Sequence, residues 1–115
     1  MSNARLSPGA RALAGERLCQ LHLRQVGDIP GGLWSWRVYV DGNAHGRGPG
    51  STRKDATPWY ASLGDGPHRV VLRQGRGDES VESNTLEFLV RGETSIVIEV
   101  RPCPSGVVLS LAPET

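Results

Sequence analysis

Three histidines, two cysteines and a scatter of aspartates are the residues here that could do chemistry, and their spacing limits what that chemistry could be. His22, His45 and His68 fall on three separate segments, and His68 alone follows a carboxylate closely, Asp65. A His oriented by a carboxylate becomes a catalytic base when a Ser or Cys lies within hydrogen-bond reach. No nucleophile elbow or comparable spacing marks such a group. The plainer role, a strand-start ring bonded to a turn carbonyl, is the one expected of His68. No histidine stands two or four positions from another His or Cys, so the spacing gives no zinc site. Asp41, Asp65 and Asp78 lack the alternating-oxygen loop that calcium requires and sit where turns ordinarily carry aspartate. The expectation is a chain without catalytic residues, metal or cofactor.

Binding chemistry has better candidates. Trp59 and Tyr60 are adjacent and follow a long polar loop, Gly46 to Pro58. In a strand one of two neighbours points away from the core, so one ring is free to stack on a sugar or to fill a partner's pocket. The competing reading places Trp59 in the core and Tyr60 flat on the sheet. Arg53 and Lys54 in that loop, and Arg76 between Gly75 and Gly77, complete the candidate set. Arg76-Gly77-Asp78 also spells the tripeptide that integrins recognise, although the same residues make an ordinary turn. Arg69, Arg73 and Arg37 fall on outward positions, where Glu87 and Glu99 can pair with them across strands.

Composition narrows the class of protein. The 115 residues make one domain, with 37% hydrophobic residues, 15 Gly and 8 Pro. That much turn-forming residue argues against a helical bundle and for many short strands. A net charge of +1 gives no bulk attraction to nucleic acid or to an anionic membrane. No apolar run reaches the roughly 20 residues that span a bilayer. Ser2-Asn3-Ala4 looks like the remainder of a cleaved expression tag, and no apolar signal core follows it. The default compartment is the cytoplasm, or the envelope if a signal or anchor precedes the chain. Cys19 and Cys103 could pair if the first and last strands meet, closing a loop worth about 4 kcal/mol. Two separate reduced thiols are the expected state.

The elements that would position these residues follow from alternation. Val38 and Val40 alternate with Arg37 and Tyr39, and Asp41-Gly42 then supplies a turn that accepts positive φ. Residues 1–16 read as tag and lead-in, 17–111 as the folded domain and 112–115 as a tail. Cys19, Leu21 and Leu23 share one face of a first strand, and Trp34, Trp36, Val38 and Val40 one face of a second. Asn43 to Arg47 returns, Trp59, Ala61 and Leu63 form a short strand, and His68, Val70 and Leu72 the next. Leu86, Phe88 and Val90 are expected to form a hairpin with Ile96, Ile98 and Val100 through Arg91-Gly92-Glu93. After Pro102-Cys103-Pro104, read as a bend, Val107, Leu109 and Leu111 close the chain. Seven or eight mostly antiparallel strands fit a two-layer sandwich.

Val38-Tyr39-Val40-Asp41-Gly42, Gly66-Pro67-His68 with Arg69 to Leu72, Ser83 to Phe88, and Gly92-Glu93 before Ile96 to Val100 together resemble the small bacterial Ig-like β-sandwich modules of the PEGA type. The resemblance runs from Leu18 to Arg101 and implies an accessory domain of envelope or membrane proteins without enzymatic activity. The function expected is therefore a non-catalytic interaction module, binding another protein or its own copies through a loop end or sheet edge. A carbohydrate-binding module using Trp59, Tyr60 and Trp34 is the alternative.

Overall fold

Alternation of apolar and polar side chains sets which face each strand buries. In the computed structural model, which describes residues 18–49 and 59–113, nine strands form in order: β1 (Cys19–Gln25), β2 (Arg37–Val40), β3 (Asn43–Arg47), β4 (Tyr60–Leu63), β5 (Gly66–Gln74), β6 (Val81–Glu82), β7 (Leu86–Val90), β8 (Ser95–Cys103) and β9 (Gly106–Leu111). One sheet has four strands in the order β4-β1-β8-β9. The other runs β3-β2-β5, and β6 and β7 pair with successive stretches of β5. The inward residues of the two sheets meet in one core. Leu21, Ala61, Ile98, Val100 and Leu109 face Val38, Val40, Val70, Leu72, Phe88 and Val90. Each large apolar side chain fully buried this way contributes about 1.5–3 kcal/mol, so the molecule is an all-β, two-sheet sandwich held chiefly by this layer.

The turn at Asp41-Gly42 forms as expected. Both residues adopt positive φ, 52° and 83°, which matches the twist of the β2–β3 hairpin. Four other expectations need correction. Trp34 lies in a single 3-10 turn, Leu33–Ser35, ahead of β2, so its ring is 51% exposed while Trp36 is buried. The indole N–H of Trp36 has no acceptor among the described residues. β7 and β8 are no hairpin, since β7 pairs with β5 in one sheet and β8 with β1 in the other. Arg91-Gly92-Glu93 is a crossing between layers. The described residues form nine strands where seven or eight were expected, and the pairs are antiparallel except β1–β8, which is parallel.

The fourth correction concerns Pro102-Cys103, which continues β8 opposite Val107 and Gly106. Val26 donates its N–H to Val100 O, so this side of β8 faces β1. Two residues on, Pro102 presents its donor-less nitrogen to the same side, beyond the end of β1 at Gln25. Its missing N–H therefore costs no ladder bond. Cys19 and Cys103 are both free thiols, placed at opposite ends of the parallel β1–β8 pair.

Side chains close the two seams between the sheets. On one flank the Trp59 indole N–H donates to His45 O at 2.8 Å, tying the start of β4 to β3. On the other, Asn84 sits between β6 and β7 and treats β9 as a strand would. Its Nδ2 donates to Leu109 O at 3.1 Å, and its Oδ1 accepts from Leu109 N at 2.7 Å. Ser83 fills the break in the edge strand by accepting Leu72 N with its hydroxyl at 2.9 Å. The two edges thereby lose part of their capacity to pair with other chains.

Candidate functional site

Strand register decides which side chains share a surface, and on the outer face of the five-stranded sheet it collects arginines. Arg37 of β2 lies directly opposite Arg73 of β5 on one side and Arg47 of β3 on the other. Neighbouring strands are about 4.8 Å apart, so three like charges stand in one row perpendicular to the strands. All three residues are exposed.

Arg47 reaches this row only because of a bulge. The pairs Val40↔Asn43 and Tyr39↔Ala44 would put Gly46 opposite Arg37. The register instead shifts between Arg37 and Tyr39, and Gly46 takes a φ of 78°, a conformation that glycine adopts without steric cost. One extra residue flips Arg47 to the outer face.

Aromatic rings and one carboxylate hold the two ends of the row. Arg47 lies over the Trp34 ring with its Cζ 4.7 Å from the centroid, and Arg73 stands 6.0 Å from the centroid of Tyr39. Arg73 also pairs with Glu82 at 2.9 Å. Arg37, in the middle, forms no ion pair among the described residues. Like charges directly opposite on a sheet repel, so the free domain carries a cost at Arg37 that an incoming anion would relieve.

The same face ends in an open depression of about 650 Å³ lined by Asp41, Pro67, His68, Arg69, Glu87 and Leu89, with Phe88 at its floor. His68 bonds Asp41 here and not Asp65. Its Nδ1 lies 2.7 Å from Asp41 Oδ2 and its Nε2 2.7 Å from Gly64 O, so the expected turn carbonyl is found and the carboxylate differs. Asp41 also accepts Arg69 N at 2.9 Å, while Asp65 accepts Gly92 N at 3.0 Å in the crossing between layers. These bonds fasten three turns together. Both ring nitrogens of His68 are occupied by these bonds. Among the described residues no three metal-binding side chains converge.

Of the residues singled out from sequence, the structure describes Trp59, Tyr60 and Arg76. Trp59 is buried with its one polar atom bonded to His45. Tyr60 is 60% exposed on the outer face of the four-stranded sheet, beside His22. Arg76 is exposed in the connection from β5 to β6, where its carbonyl accepts Glu79 N. Arg53 and Lys54 lie outside the described residues. Tyr60, on the edge strand β4, and Arg76, before the edge strand β6, stand on opposite flanks of the sandwich.

Glu99 also departs from expectation. It belongs to the other sheet, where Arg24 and Arg101 clasp it, Arg101 Nη2 donating at 2.8 Å. Hydrogen bonds from Arg24 first and Arg101 second hold its carboxyl below the ordinary range. Burial pushes the Cys19 thiol upward, with the charges of Glu93 and Asp65 adding to it. That thiol is therefore poorly suited to act as a nucleophile.

No family model, curated protein or solved structure matches the chain. The arginine row escaped the sequence reading because its third member depends on the bulge. A glycine at position 46 in an otherwise polar return strand was the available signal.

Proposed function

We propose that this domain is a non-catalytic interaction module of the PEGA-like, Ig-like kind, and that it holds an acidic segment of another protein across the outer face of its five-stranded sheet. The observation that carries this reading is the row Arg47, Arg37 and Arg73, with an unpaired guanidinium at its centre among the described residues. Binding a carboxylate there replaces repulsion with charge-assisted hydrogen bonds. Trp34 and Tyr39 add ring surface beside the charges, the combination of arginine and aromatic residues that binding hot spots favour. The row runs across three strands of an exposed sheet face, which suits an extended segment better than a small molecule.

The test is titration of the domain with labelled acidic peptides, with a panel of neutral and acidic sugars in parallel. Binding should weaken as salt rises, because the contacts are exposed charges. It should fall by about tenfold or more in Arg37→Glu, and Tyr60→Ala should leave it unchanged. Binding of a neutral sugar that is lost in Trp34→Ala but kept in Arg37→Glu would replace this reading with the carbohydrate-binding one.

A further inference from the structure

We infer that the anionic group this face accommodates is a phosphomonoester carried on an extended peptide, seated between Arg37 and Arg47; the inference rests on the acidic-partner reading and narrows it. The argument begins with where charge is left uncompensated. Arg73 already has Glu82 at 2.9 Å, and Asp78 and Glu79 follow it in the connection to β6. An anion is repelled from that end. At the other end Arg47 and Arg37 stand opposite each other on neighbouring strands, and neither forms an ion pair among the described residues. The stable seat for a ligand is therefore between β2 and β3.

Two adjacent guanidinium groups call for more than one negative charge. A carboxylate brings a single charge and leaves the pair with a net positive charge. A phosphomonoester at neutral pH carries about −1.5 to −2 and three acceptor oxygens, enough to take a fork from each arginine. Two carboxylates could supply the same charge, but two side chains would then have to be ordered in place of one. Arg47 is also set for such a contact. Its Cζ lies 4.7 Å from the centroid of the Trp34 ring, and among the described residues its one hydrogen bond is a long 3.4 Å contact from Nη1 to Trp34 O, so further N–H groups are left to donate.

Fluorescence anisotropy decides the matter, using a pool of labelled decapeptides with one central phosphoserine between acidic residues. The controls are the matching serine and glutamate pools, inorganic phosphate and a heparin fragment. The phosphoserine pool should bind about tenfold tighter than the serine pool. Arg37→Thr should abolish that ratio, and Arg37→Lys, which keeps the charge without the fork, should retain only part of it. Inorganic phosphate should compete at high concentration. Arg37→Thr should melt no lower than the parent, since it removes a repulsive pair, and that control excludes unfolding as the cause. Equal binding of the phosphoserine and serine pools, both weakened by Arg37→Thr, would overturn the phosphate assignment and leave the acidic-partner reading standing. No binding by any peptide pool would overturn both. Arg37-dependent binding to the heparin fragment alone would make the occupant an anionic glycan and would also overturn both.

Discussion

Replacing Asn84 with alanine should open one seam of the sandwich, and the size of the effect can be worked out in advance. The side-chain amide makes two bonds to one residue, donating to Leu109 O at 3.1 Å and accepting from Leu109 N at 2.7 Å. A typical hydrogen bond contributes about 1 kcal/mol net, so the pair is worth about 2 kcal/mol. Leu109 is only 2% exposed, so water can replace the amide only by entering the space that the truncation vacates. For a domain of this size about 2 kcal/mol lowers the melting midpoint by roughly 10 °C. Urea unfolding followed by tryptophan fluorescence is the natural assay, because Trp36 and Trp59 are both buried. Asn84→Asp sharpens the test. Its carboxylate can still accept Leu109 N but has nothing to donate to Leu109 O, so at neutral pH it should cost at least as much as alanine. The gap to the parent should narrow in acid, as the carboxyl regains its proton near the ordinary aspartate range of about 3.9. A loss below about 0.5 kcal/mol in Asn84→Ala, with Asn84→Asp indistinguishable from it, would refute the claim that this amide holds the seam.

Three further outcomes are expected. Glu99 is held below its ordinary range when folded, so its contribution is complete above the unfolded value of about 4.5 and is lost as pH falls through the lower folded value. Glu99→Gln should therefore flatten the acid side of a melting-temperature profile between pH 2 and 6, roughly, and an unchanged slope would count against the clasp. In native protein a thiol reagent should modify half-exposed Cys103 well before buried Cys19, and equal rates would contradict the placement of β1. A methyl group at Gly48 would lie 2.5 Å from the carbonyl oxygen of buried Leu33, so Gly48→Ala should cost about 2 kcal/mol by overpacking. Gly46→Ala meets open space and carries only backbone strain of about 1 kcal/mol, so the reverse ranking in urea would refute the local geometry.

What the sequence made legible is what depends on neighbours along the chain. Val38 and Val40 before Asp41-Gly42 announced β2 and its turn, because alternation and positive φ are local properties. Val70 and Leu72, and likewise Phe88 and Val90, turned inward for the same reason. Trp34 failed because it shares the spacing of Trp36 and Val38, yet Gly31 and Gly32 let the chain coil into a 3-10 turn before the strand begins. The β7–β8 connection failed because a short glycine turn looks the same whether it joins partners or crosses between layers. The proposed binding face was least legible of all. Arg37 and Arg73 could be placed outward, but their register and the arrival of Arg47 depend on pairing and on one bulge. His68 shows the same limit, since the carboxylate nearest in sequence is not the one nearest in space.

The parallel pairing of β1 with β8 also sets the order in which the chain can fold. Residue 20 must wait for residue 95, and β4 offers β1 only a short strand in the meantime. Joining segments so distant carries a large closure entropy before any contact rewards it, and such topologies fold slowly. On a ribosome, where synthesis is vectorial, the hairpin of β2 and β3 and then β5 with β7 can assemble while the first strand still lacks its main neighbour. Until β8 emerges, Leu21 and Leu23 are apolar side chains on an incomplete sheet. That interval is when the nascent chain most needs a chaperone, and when truncation before residue 95 would leave a product prone to aggregate.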